Sequence, residues 1–180
     1  MKAEDEILVA RCRKGEARAF EMLLTRYEKP IYNLALRMVA AEQDASDVAQ
    51  TVFLKAYRNL GSYDPGRKFF SWLYRIAVNE SLSFLDKKPP TDPLDDHWHA
   101  PDADPAESAR DAELRRLVRG ALMKLTPDYR SAIVLRHYLG CSYHEMSEVL
   151  EVPETTVKSR LFTARRLLKR ELSGSGVVES

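Results

Sequence analysis

Ser142–Arg170 reads SYHEMSEVLEVPETTVKSRLFTARRLLKR. Ser142 followed three residues on by Glu145 has the form of a capping box, ahead of the apolar residues Met146, Val149 and Leu150. After a short break, Pro153 opens a second helix at the position where its missing N–H costs least. Turning about 100° per residue places Val157, Leu161, Ala164, Leu168 and Leu172 on one face, which must be the buried one. Thr155, Ser159, Phe162 and Arg166 point the opposite way, and Lys158, Arg165 and Lys169 follow one shoulder. Arg160, on the other shoulder, reads as a phosphate or packing contact. A capped helix, a short turn and a second, basic helix form the pattern of a helix-turn-helix, whose second helix enters the DNA major groove. Hydroxyls, Arg and Lys read base edges, a Phe meets a thymine methyl, and flanking cations hold phosphates. A merely solvated helix would keep the Phe162 face polar.

Upstream, Leu114, Leu117, Val118, Ala121, Leu122 and Leu125 give a helix that stops at Thr126-Pro127. Another runs from Asp128 through Ile133, Val134 and Tyr138 to Gly140, a suitable residue just past a helix end. Before these lies PPTDPLDDHWHAPDADPAES, which carries five of the nine prolines and almost no aliphatic residue. It sustains neither a helical period nor burial and reads as a linker. Charge divides the chain the same way, although the overall balance is only +1. Residues 89–113 hold one basic and eight acidic residues, between two segments with a basic excess. The expected organisation is a first domain at 1–88, a linker at 89–107 and a second domain at 108–174.

The first domain also reads as helical. Phe20, Leu23, Leu24, Tyr27, Ile31, Leu34 and Met38 form one stripe, with Pro30 expected to kink or break it. Ala45, Val48, Ala49, Val52, Phe53, Ala56 and Tyr57 form a second behind Asp44, the expected N-cap. Asp64-Pro65-Gly66 is a turn, and a third helix runs from Phe70 to about Leu85. No strand is expected, so the fold class is all-α. GRKFFSWLYRIAVNESLSF mixes Arg67, Lys68 and Arg75 with Phe69, Phe70, Trp72 and Tyr74, more rings than one side of a small domain needs for its core. Some rings are therefore expected at the surface. Rings beside cations suit single-stranded or unstacked DNA, or a pocket for one extruded base. Asn79 and Ser83 share a face with Arg75 and add groups that hydrogen-bond a base edge.

At 180 residues with 44% apolar content the chain can bury a core without disulfides or metal. Cys12 and Cys141 read as free thiols of a reducing compartment, and the expected address is the cytoplasm. The first residues are acidic where a signal peptide is basic, and no apolar stretch reaches membrane-spanning length. Asp95, Asp96, His97 and His99, and Cys141 with His137 and His144, lack the paired spacing of an established zinc motif. There is no phosphate-cradling Gly-rich loop, nucleophile elbow or triad, so neither an enzyme nor a bound cofactor is expected. A dimeric helix-turn-helix repressor competes for the second domain alone, but leaves the aromatic, basic stretch without a use.

Over nearly its whole length the chain resembles the extracytoplasmic-function group of the sigma-70 superfamily. DASDVAQTVFLKAYRNL and FFSWLYRIAVNESLSFL are similar to the family's second region. The stretch from Leu125 to Leu172 is similar to its fourth. The resemblance implies two helical domains joined by a flexible linker and bound to RNA polymerase core, at the β′ clamp helices and the β flap. It implies that the first domain opens the −10 promoter element and the second reads the −35 element, under control of an anti-sigma factor. Carried over by position, Asp47, Gln50, Phe53 and Lys55 dock on the clamp helices. The loop from Ser62 to Lys68, including Arg67, together with Phe69, Asn79 and Ser83 corresponds to the part that takes the −10 element and its flipped base, and the ring-and-cation pattern adds Arg75 to it. Lys158, Ser159, Phe162 and Thr163 match the positions that face the −35 element, and the helical period adds Thr155 and Arg166 to that surface. Thr51 stands where an acid is common and Thr163 where a basic residue is common.

Overall fold

The computed structural model describes residues 2–87 and 109–174. Among these the chain is helical and forms no strand. The N-terminal half contains α1 (Lys2–Arg13), α2 (Ala17–Val39), α3 (Glu42–Asn59) and α4 (Phe69–Lys87). The C-terminal half contains α5 (Ala109–Met123), α6 (Pro127–Ile133), α7 (Tyr143–Leu150) and α8 (Glu154–Ser173). A 3-10 turn at Leu60–Ser62 follows α3, and a π-helical turn at Val134–Tyr138 follows α6. The acidic segment at 89–107, with Asp95, Asp96, His97 and His99, lies outside the described residues.

The stripe on α2 is buried as its period requires: Leu23, Tyr27, Ile31, Leu34 and Met38 all face the core, packed by α1, α3 and α4. Pro30 lies inside this helix and does not break it, which removes the second of the two outcomes expected there. Burial of Tyr27 and Ile31 on either side outweighs one lost helical bond. Helix α3 starts two residues before the expected cap, with Ala41 as N-cap and Asp44 in the first turn. An acid there still faces the positive end of the helix. Pro153 is likewise the N-cap of α8 rather than its first residue. Helix α1 escaped the sequence reading because Leu8 and Val9 are buried side by side while Ile7 is exposed, which matches no clear period. It is tied to α2 through Asp5, 5% exposed, which accepts from the Tyr27 hydroxyl at 2.6 Å and from Arg26.

In the C-terminal half the capping box forms as read. The Glu145 N–H donates to Ser142 Oγ at 3.2 Å, and the Ser142 N–H to the Glu145 carboxylate at 2.8 Å. Gly140 has φ +67, the left-handed conformation that ends the preceding turn and favours glycine. Val157, Leu161 and Ala164 bury one face of α8, which packs on α5, α6 and α7.

The two halves pack together, α4 against α7 and the end of α2 against α5 and α6. Arg130, 2% exposed, organises this junction. It donates to the carbonyls of Leu122 (3.1 Å), Met123 (2.8 Å) and Leu125 (3.1 Å) at the end of α5, and to the Met38 carbonyl of α2. Arg119, also buried, donates to the Ala40 carbonyl just past α2. Carbonyls at a helix C-terminus lack intrahelical partners and carry the negative end of the dipole, so two cations there satisfy both needs. Ala40 holds φ +74, an unusual conformation for a residue with a β-carbon. Burial lowers the pKa of Arg130 to about 10, which leaves it charged at neutral pH.

Replacing Arg130 by Met takes its donors from the Met38, Met123 and Leu125 carbonyls, while Leu122 keeps the Leu125 N–H, and desolvated carbonyls without partners cost about 1–3 kcal/mol each. Arg130→Met is therefore expected to lose about 3 kcal/mol or more of stability, read as a fall in the urea midpoint at constant slope.

Candidate nucleic-acid interface

The exposed side of α8 carries the residues that its period placed there. Thr155, Lys158, Ser159 and Arg166 are exposed, Thr163 is half-buried and Phe162 is 69% exposed. Nothing in the helical core requires a ring at Phe162. Lys158 stands 5.5 Å from the centre of the Tyr143 ring on α7, with the Arg136 guanidinium at 5.1 Å. The Arg165 Nε donates to His137 Nε2 at 3.2 Å. Burial and the nearby Arg165 and Arg136 charges lower the His137 pKa, which keeps that nitrogen available as an acceptor. Arg160 pairs with Asp128 at 3.6 Å, the packing alternative of the two read for it.

A second site lies where the loop after α3 meets α4. A pocket of about 280 Å³ is lined by Ser62, Tyr63, Asp64, Arg67, Trp72 and Arg75, with Glu151 from the C-terminal half. Ser62 and Arg67 are exposed, and Lys68 and Arg75 half-buried. Asn79 and Ser83 are exposed further along α4 and do not line the pocket. The expectation that some of these rings lie at the surface is corrected for three of the four, and Phe70 is half-buried. Phe69, Trp72 and Tyr74 are 3%, 8% and 8% exposed. Phe69 meets Tyr27 and Tyr63 edge-on at 5.6 Å and leans on Trp72. It is a wall behind the pocket, because α1 and α2 supply aromatic and apolar partners that a reading of α4 alone does not count. Arg13 of α1, which the sequence reading missed, clamps the loop by donating to the carbonyls of Leu60 (3.2 Å), Gly61 (2.9 Å) and Tyr63. No local pattern in α1 signals this, since the acceptors are nearly fifty residues away.

Lys68 and Arg75 are not free. Lys68 Nζ lies 2.6 Å from Glu145 and Arg75 3.0 Å from Glu151. The Glu145 bond raises the Lys68 pKa. Burial pushes the Glu145 carboxyl up, but Lys68 and the Ser142 N–H outweigh it and hold the group below its ordinary value.

A third feature is an open apolar groove of about 830 Å³ between α2 and α3, whose lining includes Phe20, Leu24, Tyr32, Gln50, Phe53, Leu54 and Tyr57. Leu54 and Tyr57 are 57% and 61% exposed, so Tyr57 leaves the buried stripe assigned to it and rests edge-on against Phe20 at 4.9 Å. Gln50 and Phe53 line the groove. Asp47 and Lys55 are exposed outside it, Lys55 bound to Glu80 at 2.5 Å. The Thr51 hydroxyl turns back onto the Asp47 carbonyl at 2.8 Å. Phe20 and Leu24, placed in the buried stripe because an apolar residue at helical spacing is ordinarily counted as core, are half-buried at this groove, and Leu54, which belongs to neither stripe, is exposed beside them. Cys141 is buried, its thiol pushed up to about 12, and is chemically quiet. Among the described residues no three His, Cys, Asp or Glu side chains group as metal ligands, and no helix is long and apolar enough to cross a membrane.

Residues 23–89 match the family model for sigma-70 region 2, and residues 115–168 the model for sigma-70 region 4. The RNA polymerase sigma-H factor of Pseudomonas aeruginosa is 34% identical over 181 residues, covering 94% of each chain. The chain belongs to the extracytoplasmic-function sigma factors of RNA polymerase. The sigma-E factor of Escherichia coli K12 is 35% identical over 180 residues, covering 93% of this sigma factor and 94% of the relative. Among solved structures, CnrH in complex with the cytosolic domain of CnrY superposes with a TM-score of 0.74 at 30% identity, covering 95% of this chain and 98% of that one. RpoE of Bartonella quintana, solved with the anti-sigma factor NepR, shares the fold with a TM-score of 0.70 at 24% identity, covering 87% and 98%.

The burial contrast between the rings is directly testable. Phe69→Ala is expected to cost about 3–5 kcal/mol, as a large aromatic removed from a core does. Phe162→Ala should stay within about 0.5 kcal/mol of the wild type. Urea unfolding of the two variants measures both.

Proposed function

We propose that this sigma factor directs RNA polymerase core to promoters with three separate surfaces and has no catalysis of its own. The chain would act in the cytoplasm as three parts, 1–88, a tether at 89–107, and 108–174. The observation that carries the reading is α8. Its inner face is sealed by Val157, Leu161 and Ala164, while Lys158, Ser159, Phe162 and Arg166 stand together in solvent. Such a face has the groups that base edges, thymine methyls and phosphates require, and it would take the −35 element.

The loop and α4 would take the −10 element. A cavity of 280 Å³ walled by Tyr63 and Trp72 and edged by Arg67 and Arg75 is of a size and chemistry for one extruded base and its phosphate. Ser62, Lys68, Asn79 and Ser83 would extend the contact along the melted strand, with Phe69 supporting the wall. The α2–α3 groove would receive the β′ clamp helices through Gln50, Phe53, Leu54 and Tyr57, with Asp47 and Lys55 at its margin. An apolar groove between two helices suits an amphipathic helix as occupant. The second domain would meet the β flap. Control by an anti-sigma factor belongs to the same proposal, supported by membership of the group and by the likeness to CnrH, which was solved with a protein partner.

Run-off transcription with core polymerase on a randomised promoter library tests the whole reading, and failure to initiate on any template ends it. Lys158→Ala and Phe162→Ala should each weaken upstream recognition by about 1–3 kcal/mol while core binding is unchanged. Asn79→Ala should impair opening more than upstream binding, read by permanganate reactivity of the melted strand. Leu54→Asp should lower core affinity at least about tenfold, by placing a charge in an apolar contact, and leave the urea midpoint unmoved.

A further inference from the structure

Ser62, Tyr63 and Asp64, three of the residues lining the pocket at the start of α4, are consecutive in the connection from α3. Within that connection the bonds are local. The Ser62 hydroxyl donates to the Asn59 carbonyl at 2.8 Å, the Tyr63 hydroxyl to the Arg67 carbonyl at 2.6 Å, and the Asp64 carboxylate accepts from the Gly66 N–H at 2.9 Å. The Tyr63 ring is fixed against Phe69 and Trp72 of α4, each at 5.6 Å. The backbone is fastened from another helix. Arg13, the last residue of α1, donates from Nε to the Leu60 carbonyl at 3.2 Å and from Nη2 to the carbonyls of Gly61 (2.9 Å) and Tyr63. Its guanidinium carbon also lies 6.0 Å from the centre of the Tyr63 ring. Helix α1 is itself anchored by buried Leu8 and Val9 and by Asp5 on Tyr27, so the fork projects from a fixed helix end. Carbonyls that converge on one planar fork have their backbone angles fixed relative to one another, which a point charge does not achieve.

We propose that Arg13 is a positioning residue for base capture, which holds the loop backbone so that Ser62 and Asp64 present their side chains to the extruded base in one arrangement and thereby sets which base the pocket accepts. The proposal rests on the reading of this pocket as the base site. Arg13 does not line the pocket and acts through the loop. Hydrogen bonds to a base edge tolerate little misplacement, so a polar lining discriminates only when its backbone is held. A loop ordered in advance also avoids the cost of ordering it on binding. Helix α1 lies before the stretch matched by the region 2 model, residues 23–89, and on this view it takes part in reading the promoter.

The test uses holoenzyme assembled from core polymerase and the full chain. The probes are fluorescent single-stranded 12-mers spanning the −10 element of a promoter taken from the randomised library, with each base placed at each position in turn. Anisotropy gives the ratio of affinities for the best and worst base at every position. This ratio does not depend on the fraction of protein that is active, so a merely structural loss leaves it unmoved. Ser62→Ala with Asp64→Ala removes two polar side chains from the pocket, and the position whose ratio it flattens is the one the pocket reads. At that position the wild type should discriminate about tenfold or more, as a good base contact does. Arg13→Met should lower the ratio to about threefold or less and weaken the preferred strand about fivefold, with upstream duplex binding unchanged. Arg13→Lys keeps the charge but not the fork and should behave as the Met variant does. A Met variant with the wild-type ratio overturns the role of Arg13 and leaves the pocket reading standing. A Lys variant that restores the ratio overturns the clamp in favour of charge alone. If the Ser62 and Asp64 double variant flattens no position, the base-pocket reading fails and the proposal fails with it.

Discussion

A guanidinium buried where two helix ends converge is the constraint on which the arrangement of this sigma factor depends. Arg130 closes three carbonyls at the end of α5 and one at the end of α2. Desolvating a cation is expensive unless it is well hydrogen-bonded, and here the acceptors are backbone groups at helix ends, of which Leu122 has the Leu125 N–H as a second donor. The same charge thus terminates one helix and ties the two halves. The ion pairs between α4 and α7 are more exposed, and pairs of that kind contribute little. Buried arginines hold the junction.

Each of the three surfaces is made by denying a side chain its usual place. Phe162 is a ring left in solvent on a basic helix, Leu54 and Tyr57 are apolar residues left outside a finished core, and Arg75 is a cation at the mouth of a cavity. The first two are open to solvent, and the third carries an ion pair to Glu151.

The packing of the halves also gives the helix-turn-helix a second role. Its capping box is a local device that starts α7, yet the carboxylate of Glu145 that completes the box is the one that reaches Lys68. One side chain serves helix initiation and contact between the halves because a capping carboxylate has lone pairs to spare. Glu151 is similar in being placed by a helix end. A turn in the left-handed conformation aims it out of its own domain.

The amino-acid sequence by itself determined the helices from α2 onward, the buried face of α8, the capping box and the separation of charge. Each follows from a period or a short spacing that depends only on neighbours along the chain. The outer residues of α8 were legible for the same reason, since a helix whose apolar face is known has its opposite face known too. What only the tertiary structure decided was the fate of side chains whose partners are distant. Phe69, Trp72 and Tyr74 became core because α1 and α2 close over them, Tyr57 became surface because no helix does, and Pro30 was tolerated because both flanks are buried. Arg13 on the loop, Arg130 on Met38 and the glutamates on Lys68 and Arg75 join residues 47 to 92 positions apart. Periodicity carries no information at that range, and only the packing of one half on the other brings those charges together.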